Sequence, residues 1–186
     1  MQRIMNWPFW LHGAGVVAAF TAFHMIKSVL DASYEASNHP VDYATGQLAF
    51  DAATIEAYYA IMIEAGTLDI YWRTQMIDFG FITAIMLLSV LLGTFLARLG
   101  GQGGYGARLG LGGAVLGVSG AVMDALENVT SFIMLSDPQN IAQAVALTYS
   151  GFAAGKFILL TLAMLAMILS VPVGLVERLA GAYRPR

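Results

Sequence analysis

Three carboxylic acids and an amine stand where ionisable groups are expensive. Asp124 and Glu127, followed by Asn128, interrupt one long apolar run, Asp78 lies near the start of another, and Lys156 stands just inside a third. A charged side chain at the centre of a membrane-spanning helix costs on the order of 2.5–3.5 kcal/mol on insertion scales. Three acids and a lysine facing lipid would sum to roughly 10 kcal/mol, as much as the whole stability of an ordinary domain. These groups must pair, take up protons or meet water. Pairing predicts Lys156 against Glu127 or Asp124. Proton transfer is the alternative chemistry, with Asp124, Glu127 and His24 as candidate catalytic groups.

The spacing decides which side chains can meet. Gly113, Gly117, Gly120, Asp124 and Glu127 step by four, three, four and three, so glycines and acids share one helical face. Small-residue faces let membrane helices approach closely, which directs this face into a bundle. Tyr71, Gln75 and Asp78 fall at i, i+4 and i+7, again one face. Thr21, His24, Lys27 and Ser28 cluster at the far end of the first apolar run. Lys27 can equally snorkel to the headgroups, and a single histidine at this depth is commonly a hydrogen-bonded structural residue. His12 precedes His24 by twelve residues, roughly 120° around a helix with about 3.6 residues per turn. A bis-histidine haem site within one chain is therefore not expected.

The elements that carry these residues follow from composition. Of 186 residues, 58% are hydrophobic and 11% charged, against about 25% charged in soluble domains. Four apolar stretches, roughly 9–30, 76–97, 109–135 and 152–176, reach the ~20 residues that a spanning helix needs. The expected fold is an all-α membrane protein, a single four-transmembrane-helix bundle over residues 1–186. Odd spans run outward and even spans inward. Tyr71, Gln75, Asp78, Asp124, Glu127, Asn128, Lys156, His24 and Lys27 then fall at one level, in the outer half of the bilayer. The opposite half is expected to lack polar residues that could continue a proton path.

Charge distribution orients the bundle. Arg3, Arg98, Arg108, Arg178, Arg184 and Arg186 lie on the side of the termini and the second loop. The 31–75 loop carries seven acids before its first base, Arg73. The positive-inside bias predicts both termini in the cytoplasm (N-in/C-in) and a helical, lid-like outer loop over 31–75. A bacterial inner (plasma) membrane is the expected location, with the first apolar run retained as a span. Within the loop, Asp51 is a candidate N-cap, and DAATIEAYYAIMIEAG reads as an amphipathic helix stopped by Gly66. Ile55, Tyr59 and Met62 share its inner face, with Glu56 and Glu64 turned away. A second helix is expected to start near Thr67 or Asp69 and run on into span two. Residues 136–151 are expected to form a short loop with a helical turn at 141–147.

Several chemistries are excluded or disfavoured. With no cysteine, disulfides and thiolate chemistry are absent. Lysine and arginine are too few and too spread for nucleic-acid binding. Gly101, Gly103 and Gly106 form a literal GxGxxG, but no strand precedes it, so it reads as a flexible link. Asn128-Val129-Thr130 matches a glycosylation sequon inside a span and is discounted. His24, Asp78, Asp124 and Glu127 offer metal-ligand types, yet a nearby lysine opposes a cation. No metal and no cofactor is predicted.

Tyr71-x-Arg73-x-Gln75-x-x-Asp78, Asp124-x-x-Glu127-Asn128 and Lys156 near the start of the last span together resemble a group of small four-helix membrane proteins to which no activity is assigned. The resemblance covers roughly residues 55–165. It implies that these positions matter and supplies no reaction.

Three readings follow. A buried structural ion-pair network would suit an accessory or scaffold subunit, with other membrane-protein subunits as partners besides the lipid bilayer. A pocket open to the outer leaflet would take a lipid-like ligand, with acid/base chemistry at Asp124 and Glu127; whether the chain is an enzyme stays open. Proton-coupled transport is the third.

Overall fold

A computed structural model describes residues 1–101 and 103–182. Arg184 and Arg186, which enter the charge argument above, lie outside the described residues, as does Gln102 of the glycine-rich loop. Seven helices and no strand occur among the described residues: α1 (Gln2–Met5), α2 (Phe9–Ala36), α3 (Tyr43–Gln47), α4 (Ala52–Glu64), α5 (Leu68–Leu99), α6 (Tyr105–Ser136) and α7 (Gln143–Ala182). Four of them, α2, α5, α6 and α7, are long and apolar enough to cross a membrane. The chain is an all-helical, multi-pass integral membrane protein.

Each spanning helix extends beyond its apolar stretch. α2 continues past Leu30 to Ala36, and α5 starts at Leu68, eight residues before Met76. The helical turn expected at 141–147 is not a separate element but the beginning of α7 itself, which runs on through Pro172. The apolar window sets the span, whereas polar flanks prolong a helix wherever the backbone ladder can continue.

The described chain divides into two compact units. Unit 1 comprises Met1–Phe23, Ala84–Gly120 and the chain from Ile158 onward; unit 2 comprises His24–Thr83 and Ala121–Phe157.

Unit 1 is built on small residues. A methyl group on Gly106 would lie 2.6 Å from the Gly174 Cα and 2.7 Å from the Ser170 carbonyl. One on Gly93 would meet the Gly110 carbonyl at 2.7 Å. Backbones at this separation exclude any side chain, as expected where small residues mediate helix contact. Ser170 Oγ donates to the Gly106 carbonyl at 2.7 Å. Polar groups are buried here too, contrary to expectation: His12, Ser89, Thr94 and Ser170. Arg98 Nη1 lies 3.2 Å from His12 Nδ1 and donates to the Trp7 carbonyl at 2.9 Å. Because an arginine is always a donor, His12 Nδ1 accepts and Nε2 carries the hydrogen, facing the Leu91 carbonyl at 3.0 Å.

The glycine-rich link also belongs to unit 1. Glu177 accepts from the backbone N–H groups of Tyr105 (2.8 Å) and Gly106 (3.1 Å), the first turn of α6. Arg178 Nη2 donates to the Leu99 carbonyl (2.8 Å), the last of α5. The acid therefore meets the positive end of one helix dipole and the base the negative end of another.

Unit 2 is held by aromatic and polar contacts. The Asp51 carboxylate accepts from the Thr54 N–H (2.9 Å) and starts α4. Gly66, at φ +69°, ends it. The Thr67 N–H returns to the Met62 carbonyl (2.8 Å) and the Gly66 N–H to that of Ile63 (3.0 Å), a Schellman cap that needs the left-handed residue. Ile55, Tyr59 and Met62 are buried with Tyr71, Met134 and Tyr149 in one apolar cluster. Glu64 is exposed as expected. Glu56 is not turned away; it accepts from the Ile141 N–H at 2.7 Å, because the segment before α7 leaves an uncapped donor there.

Candidate functional site

The charged core of unit 2 is centred on Lys156. Its ammonium donates to Asp124 Oδ1 at 2.9 Å and to Gln47 Oε1 at 3.0 Å. Glu127 Oε2 lies 2.5 Å away, an ion pair by distance whose angles fall outside hydrogen-bonding geometry. Three oxygens thus surround a group with three N–H donors. Lys156 is 5% exposed, Asp124 3% and Glu127 0%. The two acids are on α6 and the lysine on α7, so the pairing joins two spanning helices. Both of the pairings expected for Lys156 are present.

Asp78 takes a different partner. Asn128 Nδ2 donates to Asp78 Oδ2 at 2.7 Å. One turn earlier on α5, Gln75 Nε2 donates to Tyr71 OH and to Ser131 Oγ, each at 2.9 Å. Tyr71, Gln75 and Asp78 are all buried, as their spacing requires. Arg73 and Trp72 of the same helix are exposed.

Two expected members are placed elsewhere. Lys27 pairs with Asp31, one turn along its own helix, at 2.6 Å, and both are exposed. His24 lies on the same exposed face of α2, in a groove with Lys27, Ser28, Asp31, Ala32 and Glu35. The face arithmetic that grouped Thr21, His24, Lys27 and Ser28 is right; the direction in which that face points is not fixed by spacing.

Other members escape sequence reading. Gln47, at the end of the five-residue α3, reaches Lys156 from a segment with no periodicity to interpret. The backbone from 37 to 52 is strapped down by bonds of long sequence separation. Phe50 N–H donates to Ser150 Oγ (3.0 Å), Ala52 N–H to Gln143 Oε1 (2.8 Å), and Gln143 Nε2 returns to the Phe50 carbonyl (3.0 Å). Phe50 adopts φ +53° within this strap. The strap also carries His39, whose ring lies 5.1–5.4 Å from those of Tyr34, Tyr58 and Tyr71. Burial among these rings lowers the His39 pKa from its ordinary value, against the opposing pull of the Val41 carbonyl and Asp42.

Buried atoms remain without a hydrogen-bond partner among the described residues: both carboxylate oxygens of Glu127, Asn128 Oδ1 and the Tyr59 hydroxyl. The Tyr59 hydroxyl is next to Ser131 without closing a bond to it. Burial raises its pKa well beyond the usual tyrosine range. Among the described residues, no group of three or more histidines and acids is disposed to hold a metal ion.

Chemically, the site can hold charge fixed or exchange protons. Two carboxyls face one ammonium and a third, Asp78, is held by the Asn128 amide, so the excess of acid must be met by protons, water or further donors. A scan of protein-family models, a search of curated proteins and a search of solved structures each return no match to this chain.

Proposed function

We propose that the Lys156–Asp124–Glu127 cluster is a structural ion-pair network. On this reading the chain is a small accessory or scaffold subunit of a membrane assembly. The observation that carries the structural role is the coordination of Lys156. Two of its N–H groups donate to Gln47 and Asp124, and the Glu127 carboxylate pairs with it by charge, so oxygens from α3 and α6 surround it. A buried ammonium paired with two acids of α6 specifies which face of α7 meets α6. In lipid, where apolar contact does not distinguish one face from another, this is a means of fixing register. The charge distribution supports the N-in/C-in orientation in a bacterial inner membrane, with the strap and α4 on the outer side. The likeness of the YxRxQxxD and DxxEN motifs to small four-helix membrane proteins is in keeping with a role for these positions.

The test is compensation. Lys156→Met, Asp124→Asn and Glu127→Gln are made singly and as the triple, and folded yield and melting temperature are measured in detergent. A structural network predicts damaged singles and a triple close to the parent. Singles that melt like the parent would sink the reading. Purification in mild detergent tests the subunit role, which predicts a stoichiometric membrane-protein partner.

One observation favours a second reading, a lipid-like ligand or acid/base pocket. The unpartnered Glu127 Oε1, Asn128 Oδ1 and Tyr59 hydroxyl are a carboxyl, an amide and a phenol of the kind that position a polar headgroup. Lipid mass spectrometry of the purified protein tests it, and this reading predicts one lipid species lost on Glu127→Gln.

A further inference from the structure

The exposed end of α2 carries charges that a purely lipid-facing helix would not need. His24, Lys27, Ser28, Asp31, Ala32 and Glu35 line a groove of about 500 Å³, beside exposed Met25 and Val29. α2 is the least buried of the four apolar helices, with 11% of its apolar window inside the fold. The first apolar run ends near Leu30, so the groove straddles the boundary between hydrocarbon and headgroups wherever this helix spans. The charges are ordered along the axis. The cation Lys27 is deeper, Asp31 follows about 6 Å further out and Glu35 about 12 Å, at about 1.5 Å rise per residue.

A phospholipid presents the reverse order. Its phosphate lies at the hydrocarbon boundary, and an ethanolamine or choline nitrogen lies further out. We infer that this groove binds the headgroup of a zwitterionic phospholipid carrying a primary ammonium, of the phosphatidylethanolamine class. The phosphate lies against Lys27 and the Ser28 hydroxyl, and the ammonium against Asp31 and Glu35. The existing Lys27–Asp31 pair, 2.6–2.8 Å between nitrogen and oxygens, then meets an antiparallel pair of lipid charges. One fixed cation against two carboxylates disfavours an anionic headgroup such as phosphatidylglycerol. A choline nitrogen has no N–H to donate to the carboxylates, so it forfeits the charge-assisted hydrogen bonds that an ammonium makes.

The inference depends on α2 spanning the membrane and not on the buried Lys156 cluster. The full chain is inserted into nanodiscs of equimolar phosphatidylethanolamine, phosphatidylcholine and phosphatidylglycerol, and lipids retained after gentle release are counted by native mass spectrometry. Expected is one phosphatidylethanolamine per chain, retained about tenfold over the others, a difference of about 1.4 kcal/mol in affinity. Lys27→Met and Glu35→Gln, both at exposed positions, abolish the preference without changing the melting temperature. Equal retention of the three lipids, preference for phosphatidylglycerol, a preference that survives both substitutions, or a second copy of the chain covering the groove would overturn it. A chain that fails to insert would instead count against the membrane reading itself.

Discussion

Units 1 and 2 are made from segments of the same four long helices, yet they solve the packing problem by opposite means. In unit 1 the helices touch through missing side chains, at Gly93 against Gly110 and Gly106 against Gly174. In unit 2 they touch through large and charged ones: Lys156 between Asp124, Glu127 and Gln47, and Tyr59, Tyr71 and Tyr149 in the apolar cluster. Close backbone contact yields dispersion over many atoms and tolerates no added volume. A buried ion pair yields little net stability, because desolvation offsets the Coulomb attraction, but it penalises every arrangement that separates the partners. Unit 1 is therefore sensitive to size, and unit 2 to charge.

The largest expected effect tests the charge side. Lys156→Met leaves Asp124 and Glu127 buried without their cation, which costs about 3–5 kcal/mol when one partner of a buried pair is removed. Hydrogen exchange should show amides of unit 2 losing protection while those of unit 1 keep theirs. Uniform loss across both units would break the comparison.

Size is tested next. Gly106→Ala puts a methyl 2.6 Å from the Gly174 backbone and is expected to cost about 1–3 kcal/mol, as overpacking does. Gly112→Ala, on the same helix with nothing within 4 Å of the added methyl, should be neutral or stabilising by up to about 1 kcal/mol from helix propensity. Thermal melts of the two variants, compared directly, check the contrast. Equal effects would mean that unit 1 is not size-limited.

A smaller effect concerns acid. The pKa of His39 is lowered by burial, so the unfolded chain binds the proton more readily. Its contribution is fully present above the unfolded value of about 6.5 and is lost as pH falls from there toward the lower folded value. Melting temperature should decline over this window, and His39→Gln should flatten the decline. Asp42 and Asp51 are displaced in the same direction for a different reason, each lowered by bonds from Thr45 and Thr54 respectively. Their contributions disappear only in more acidic solution, below the usual aspartate range, so the two windows are separable in one titration. The smallest effect is expected for Glu177→Gln, a slight drop in melting temperature with faster exchange at the Tyr105 and Gly106 amides.

Much of the site was legible because membrane burial is restrictive. An acid inside an apolar run has few tolerable surroundings, and helical spacing then states which neighbours share its face. That is why Lys156, Asp124, Glu127, Asn128, Asp78 and Gln75 could be named together. The same arithmetic placed Tyr59 and Met62 on the buried side of α4 and Asp51 at its cap. It failed for His24 and Lys27, since spacing defines a face without saying what the face meets. It was silent on Gln47, Ser131 and the strap of residues 37–52, whose positions depend on bonds between residues about 50 to 110 apart in sequence, such as Gln75 to Ser131 and Gln47 to Lys156. The buried His12–Arg98 contact was missed for the same reason; each residue alone reads as an unremarkable flank.

The adjacent residues Glu177 and Arg178 have a consequence beyond the two helix ends that they cap. Opposite charges in consecutive positions make the contact with the glycine-rich link directional. Sliding or rotating α7 by a single residue would bring a base toward the N–H groups of α6 or an acid toward the last carbonyl of α5, turning attraction into repulsion. Gly106 and Gly174 alone would allow such a slip, since glycines present no side chain to mark position. The charged dipeptide therefore acts as an index mark on an otherwise smooth contact, setting where α7 stops.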